Sequence, residues 1–283
     1  MRKIAILSGK GGAGKTFVSV NLSAVIPKAV YVDCDVEEPN GDLFLKSEVR
    51  GTMPIAIQIP KIMEETCIGC RKCVDFCHFH ALAFLKNKPS FFPEICHSCG
   101  GCALVCPVGA VTETEKEIGE IAIGKTDSMW TVTGTLHVGE ASGIPIIQKA
   151  IKKGAELAEQ ENAVLCIDCP PGSACSTMES IQNADFCLLV AEPTAFGFHN
   201  FQMVYELATL LQKPVGVVIN KMEQPFLPLE NFCKEKGIPI FSRIPYSAST
   251  AASTAAGKLA VREDETLYSV FKSLWQTIQE VTK

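Results

Sequence analysis

The 283-residue chain is predicted to be an α/β protein: a parallel sheet with helices on both faces, interrupted by a small, cysteine-rich α+β domain. Three observations predict it. Short apolar runs alternate with helical patterns over most of the chain, the rhythm that builds a parallel sheet covered on both sides. A glycine-rich loop, residues 9–16, follows the first apolar run and opens a helix. Between residues 61 and 114 the rhythm stops and two cysteine quartets replace it.

The first strand, residues 3–7, runs directly into Gly9-Lys10-Gly11-Gly12-Ala13-Gly14-Lys15-Thr16. This satisfies the P-loop pattern G-x4-G-K-[ST] in the strand–loop–helix setting that gives it meaning. Glycines 11, 12 and 14 let the backbone N–H groups of the loop, Ala13 included, curl round a phosphate chain. The N-terminus of the following helix adds a positive field. Lys15 is expected to reach the β- and γ-phosphates of ATP or ADP, and Thr16 to bind Mg²⁺. The alternative is a glycine-rich turn with no ligand.

Residues 29–32 read as the next strand, ending in Asp33-Cys34-Asp35 and then Glu38-Pro39-Asn40-Gly41. Carboxylates at the C-terminal edge of a strand beside the P-loop can hold Mg²⁺ or orient attacking water. Asp35 is assigned that catalytic role, while Asp33 and Glu38 read equally as turn formers. Residues 163–167 are another buried strand, ending in Asp168-Cys169-Pro170-Pro171-Gly172. Asp168 suits the Mg²⁺-binding Walker B position, and the Gly172 N–H could reach a γ-phosphate and sense hydrolysis.

Past Phe44-Leu45-Lys46 a connector containing Pro54 and Pro60 is expected, and then the insert at 61–114, dividing the larger domain into 1–60 and 115–283. Cys67, Cys70, Cys73 and Cys77, then Cys96, Cys99, Cys102 and Cys106, are both spaced C-x2-C-x2-C-x3-C. At that pitch three thiolates wrap one [4Fe–4S] cluster and the fourth ligates the other. Cys67, Cys70, Cys73 and Cys106 are thereby assigned to one cluster, and Cys96, Cys99, Cys102 and Cys77 to the second. Ala81-Leu82 and Ala110-Val111 sit at matching offsets, as in a duplicated half-domain. Disulfides would need an oxidising compartment, and zinc ribbons space their cysteine pairs more widely. Eight of the fourteen cysteines are thus explained, which predicts a reducing cytoplasm. With little other apolar content, the insert is expected to be organised by its clusters.

From Glu117 the α/β rhythm returns. Strands are expected at 119–123, 129–138, 163–167, 186–191, 215–219 and 239–241, and helices at 144–160, 174–183, 199–211 and 227–236. Residues 247–256 are compatible with a plain helix. Leu267, Val270, Phe271, Leu274, Trp275, Ile278 and Val281 form an apolar stripe at helical spacing. A membrane-surface helix needs a basic polar face, whereas this one carries Lys272, Lys283 and Glu280, so it is read as packing on the core.

Hydrophobic content of 47% and a mean hydropathy of +0.19 describe a well-buried globular chain whose apolar runs are too short to span a membrane. The net charge of −5, with both signs mixed and no basic block, argues against nucleic acid as a main partner.

Lys10 narrows the class. With Lys10–Thr16, Asp33-x-Asp35, Pro39-Asn40, Asp168-x-Pro-Pro-Gly172, Glu192–Gly197, Asn220-Lys221 and Ile244-Pro245, the chain resembles the MinD/Mrp/nitrogenase-iron-protein superfamily of P-loop ATPases over nearly its whole length. More narrowly, it resembles members carrying an inserted ferredoxin domain. The insert itself is similar to bacterial dicluster ferredoxins, in which proline follows each fourth cysteine. Pro107 fits and His78 does not, a departure expected to tune potential or packing and leave ligation intact. The resemblance implies that Lys10 crosses a two-fold interface to the partner's phosphates, hence an ATP-dependent dimer of identical or paralogous chains. It also implies that Asn220, Lys221 and Pro245 line the purine site. Phe17 replaces a second threonine near the α-phosphate and should weaken binding without abolishing it. Cys34, Cys166 and Cys187 read as buried small hydrophobes. Cys175 matches a cluster-binding step of the nitrogenase iron protein, but residues 134–160 lack the second cysteine that family uses.

A P-loop and two clusters in one chain are read as ATP-controlled electron transfer to a protein partner. The other readings are an iron–sulfur carrier of the Mrp type that serves apoproteins, and MinD-like spatial positioning. The C-terminal part lacks the C-x2-C pair of Mrp-type scaffolds.

Overall fold

The structure, a computed structural model, describes residues 2–282. It begins with β1 (Lys3–Leu7), α1 (Lys15–Val25) and β2 (Ala29–Asp33). Both strands are apolar without alternation because both faces of the sheet are covered. Ile4 and Ile6 enter one hydrophobic layer, Ala5 and Leu7 the other. α2 (Gly41–Leu45) leads to β3 (Glu48–Ile62). The insert contributes α3 (Lys72–Phe76), the hairpin β4 (Leu82–Leu85) with β5 (Lys88–Phe91), and α4 (Gly101–Leu104).

The chain returns through β6 (Val111–Lys125) and β7 (Trp130–Leu136). It then alternates α5 (Ile144–Glu161), β8 (Val164–Asp168), α6 (Cys175–Ile181), β9 (Phe186–Ala191), α7 (Ala195–Leu210), β10 (Val215–Met222), α8 (Leu227–Lys236) and β11 (Ile240–Pro245). Helices α9 (Ala248–Ala255), α10 (Ala260–Glu263) and α11 (Glu265–Val281) end it. Local chemistry marks several ends. The Thr194 hydroxyl accepts from the Gly197 N–H at the start of α7, Asp264 caps two N–H groups of α11, and Gly237 closes α8 in the left-handed conformation.

The main sheet has the order β11-β10-β9-β1-β8-β2-β7-β6-β3. Seven strands are parallel, as expected. β6 and β3 depart, because the tight turn at 126–129 makes β6 antiparallel to β7, and β3 pairs antiparallel with β6. The expected connector at Pro54 and Pro60 is therefore a 15-residue strand. β3 is the sheet's edge, where a proline's missing N–H can face away from the ladder. Helices α1, α10 and α11 cover one face, α5 to α8 the other. Leu267, Phe271, Leu274, Trp275 and Ile278 of α11 are buried in the first of these layers, as a core-packing helix requires. Among the described residues no helix is long and apolar enough to cross a membrane.

Candidate functional site

At the C-terminal ends of β1, β2 and β8 lies a cleft of about 850 Å³, lined by the P-loop, Asp35, Glu38, Asn40, Pro170, Pro171, Asn220, Pro245 and α9. This is the crevice of an open α/β sheet where ligands bind. Gly12 (φ +80) and Gly14 (φ +91) hold left-handed backbone, and a Cβ built on Gly11 or Gly12 would meet open space. The loop is shaped as a cradle for something other than protein.

The register pairs Asp33 with Asp168 across β2 and β8. Lys15 Nζ lies 2.8 Å from Asp168 Oδ1 and 3.5 Å from Asp35 Oδ2, and all but 6% of its side chain is buried. The other Asp168 oxygen accepts the Tyr31 hydroxyl at 2.9 Å. Burial opposes the charge on Lys15, but the Asp168 carboxylate outweighs it and holds the ammonium well above its ordinary pKa. Burial, reinforced by Asp168, pushes Asp33 up to about 7, against the N–H groups of Gly41 and Asp35. Burial also raises Asp35, with Lys15 opposing. Two carboxylates, Asp35 and Asp168, thus share one ammonium, an excess of negative charge that a hard divalent cation would balance. Thr16, Asp35 and Asp168 fit Mg²⁺ on that ground.

Asp33 has a part that the sequence reading left open. Its oxygens accept the backbone N–H groups of Asp35 (3.1 Å), Asn40 (3.2 Å) and Gly41 (2.9 Å), so it fastens the whole segment after β2. Tyr31 was read only as a strand residue. A period-two strand pattern gives no sign that its hydroxyl reaches across to β8.

Other expected residues gather here with different contacts. The Gly172 N–H, expected at a γ-phosphate, donates to the Ser8 carbonyl at 2.8 Å. Asn220 Nδ2 donates to the Ala13 carbonyl (3.0 Å) and Lys221 Nζ to the Gly12 carbonyl (2.6 Å), so both brace the P-loop from outside. Lys10 pairs within its own chain with Glu192 Oε2 (2.7 Å) and lies over the Phe196 ring. Phe17 lines the cleft while its ring meets Phe271 edge-on at 5.9 Å. α9, to which the sequence reading gave no function, forms the cleft's outer wall through Thr250, Ala251, Thr254 and Ala255. Cys34, Cys166, Cys169, Cys187 and Cys233 are buried, and Cys175 is exposed at the start of α6.

In the insert, Cys67, Cys70, Cys73 and Cys106 line one cavity. Cys77, Cys96, Cys99 and Cys102 line a second. The crossed grouping is therefore built into the fold, and each set surrounds a void. Among the described residues no three His, Cys, Asp or Glu side chains close on a single-ion site. The duplication extends to the backbone. Gly69 and Ser98, Arg71 and Gly100, and His80 and Gly109 all have positive φ, each pair at the same offset as Cys67 and Cys96. Ser98 N–H donates to Cys96 Sγ (3.4 Å) and Ala110 N–H to Cys106 Sγ (3.2 Å). The slight burial of Cys106 opposes ionisation, but the N–H groups of Val108, Val111, Ala110 and Gly109 overcome it and lower its pKa. Such donors suit thiolates that ligate iron. The only apolar core of the unit is small, with Cys73, Leu82 and Val111 at its centre.

The model of the 4Fe–4S dicluster domain family matches residues 66–110. The uncharacterized protein MJ0579 of Methanocaldococcus jannaschii is 30% identical over 231 residues, covering 78% of this chain and 80% of that one. The iron–sulfur cluster carrier protein of the same organism is 24% identical, with coverage of 98% and 84%. Among solved structures, the Pyrococcus furiosus cell division ATPase MinD superposes with a TM-score of 0.61 at 18% identity, covering 99% of both chains. The septum site-determining protein MinD of Pyrococcus horikoshii, complexed with Mg-ADP, gives 0.60 at 18% identity over 99% and 96%. These two likenesses concern the fold.

Proposed function

The chain, a MinD-like P-loop fold carrying a 4Fe–4S dicluster domain, belongs to the family of MJ0579, and from that premise we propose that it binds and hydrolyses ATP to control electron transfer from its clusters to a protein partner. One observation carries the reading. The segment that Asp33 fastens beside Lys15 continues through α2 into β3, the strand that bears the insert. A change at the phosphates has a covalent route to the clusters, along the chain from Gly41 through α2 and β3 to Cys67.

In this reading Lys15 leaves Asp168 for the β- and γ-phosphates, and the freed Asp168 and Thr16 hold Mg²⁺, which supplies charge neutralisation at the transferring phosphoryl group. Asp35 orients the attacking water. Gly172 gives up the Ser8 carbonyl as its loop turns toward the γ-phosphate. Lys10 leaves Glu192 for the partner subunit's nucleotide, making the working unit a dimer. The eight cluster cysteines hold two [4Fe–4S] groups, which supply one-electron carriers when bound. All fourteen cysteines are free, three of them exposed, which suits a reducing cytoplasm.

A second reading, an iron–sulfur carrier serving apoproteins, is favoured by the likeness to the carrier protein along 98% of the chain. Against it stands the lack of a C-terminal C-x2-C pair. The test is anaerobic protein followed by iron counting and EPR with ATP, ADP and no nucleotide. The expected result is about eight iron per chain, retained through repeated redox cycles, with signals that change with the nucleotide. Loss of iron to an apo-acceptor, or signals indifferent to nucleotide, would replace electron transfer with the carrier reading.

A further inference from the structure

Tyr31 has no part in the function proposed above, yet it stands where Asp168, α1 and the start of α2 meet. It lies at the middle of β2 and is fully buried. Its hydroxyl donates to Asp168 Oδ2, the oxygen that Lys15 does not hold. Its ring edge and hydroxyl lie against Gly41, the first residue of α2, so closely that a Cβ there would collide with them. Beside it on α1 is Ser19, fully buried, whose hydroxyl has no hydrogen-bond partner of good geometry. A buried tyrosine hydroxyl normally has a partner. Here the partner is the carboxylate offered to the metal, and the nearest backbone is the root of the strap leading to the insert.

Most strand positions at such a site could be served by an aliphatic residue. A tyrosine adds one function, a donor fixed by a rigid ring. When Lys15 swings to a phosphate, Tyr31 is the donor that keeps Asp168 oriented. In its absence Asp168 would turn, or hold its second oxygen unpaired inside the protein. Any rotation of Asp168 toward a cation pulls on the hydroxyl, and the ring would pass that displacement to Gly41, beside which there is no room for even a methyl group.

We infer that Tyr31 is a positioning residue: it aims Asp168 at the divalent cation and couples the carboxylate's movement to the start of α2. This rests on the reading that the cleft takes a magnesium nucleotide. Removing a hydrogen-bond partner of a metal ligand typically weakens metal binding by 10–100-fold.

The experiment uses the full chain with its clusters, ADP, and Mn²⁺ as the probe. Free Mn²⁺ is read by EPR, ADP binding is measured separately in EDTA, and amide exchange is followed over residues 41–45. Y31F keeps the ring and removes the donor. It is expected to bind ADP in EDTA as the wild type does, to bind Mn²⁺ in the presence of ADP about tenfold more weakly, and to lose the exchange response of residues 41–45 to Mn²⁺ and ADP. G41A, which displaces the same hydroxyl from the other side, should reproduce both losses, and S19A should show neither. Wild-type Mn²⁺ affinity in Y31F, a retained exchange response, or equal losses in S19A would each overturn the inference. Failure of the wild type to bind ADP at all would instead overturn the reading of the cleft.

Discussion

Lys15 Nζ is 2.8 Å from Asp168 Oδ1, a fully buried contact between the P-loop and the end of β8. The lysine that should hold phosphate and the aspartate that should hold metal occupy each other. In the proposed function nucleotide and cation would enter together, each relieving the partner that the other takes away.

Replacing Lys15 by alanine should abolish ATP hydrolysis, and it should also weaken the fold. Breaking a buried ion pair by removing one partner typically costs 3–5 kcal/mol, and here Asp33, Asp35 and Asp168 would remain without their ammonium. Urea unfolding should show the cost, and a phosphate-release assay the lost turnover. Reduction of a partner that proceeded unchanged in K15A would sink the coupling between nucleotide and clusters.

The crossed cysteine sets make a sharper forecast. C106A should empty the cavity that Cys106 shares with Cys67, Cys70 and Cys73, leaving its sequence neighbours Cys96, Cys99 and Cys102 still ligating with Cys77. About four of about eight iron atoms should remain. Combined with C96A, both clusters should be lost; combined with C67A, the second should survive. The reverse pattern would mean that each quartet binds its own cluster.

Much of this was legible in the chain. The P-loop, the Asp168 strand and most of the long helices announce themselves because short-range pattern and local geometry agree there, although α7 starts at Ala195 where the pattern puts its start at 199. The cysteine spacing fixed the crossed sets, which a duplicated backbone then realises in space. Legibility failed where a contact joins residues far apart in sequence. The role of Tyr31 depends on a neighbour 137 positions away, and the Lys10–Glu192 pair joins two loops. The strand through Pro54 and Pro60 was hidden because proline argues against a central strand but not against an edge.

Asp33 makes stability fall as pH rises. Its folded pKa is about 7 against an ordinary 3.8, so the folded state keeps a proton that the unfolded chain has lost. The contribution is complete below the unfolded value and disappears as pH climbs from about 4 to about 7, amounting to roughly 4 kcal/mol at most. The thermal midpoint of nucleotide-free protein should therefore drop between pH 5 and pH 7.5, and D33N should flatten that slope. The same slope in the wild type and in D33N over this interval would show that Asp33 is ionised throughout.

In the proposed dimer, the Lys10–Glu192 pair would set a threshold for association. At 2.7 Å, with both side chains about one-fifth exposed, it belongs to the partly screened class worth up to about 1 kcal/mol. Lys10 must give up that energy before it can reach a second subunit. E192Q removes the ionic part of the restraint in both subunits of a two-fold dimer and should tighten ATP-dependent self-association by up to about 30-fold, while K10A should prevent it. Sedimentation with ATP and with ADP separates the cases. If E192Q and the wild type associated equally while K10A remained monomeric, the pair would be an incidental surface contact, and the energy of crossing would have to lie elsewhere in the loop.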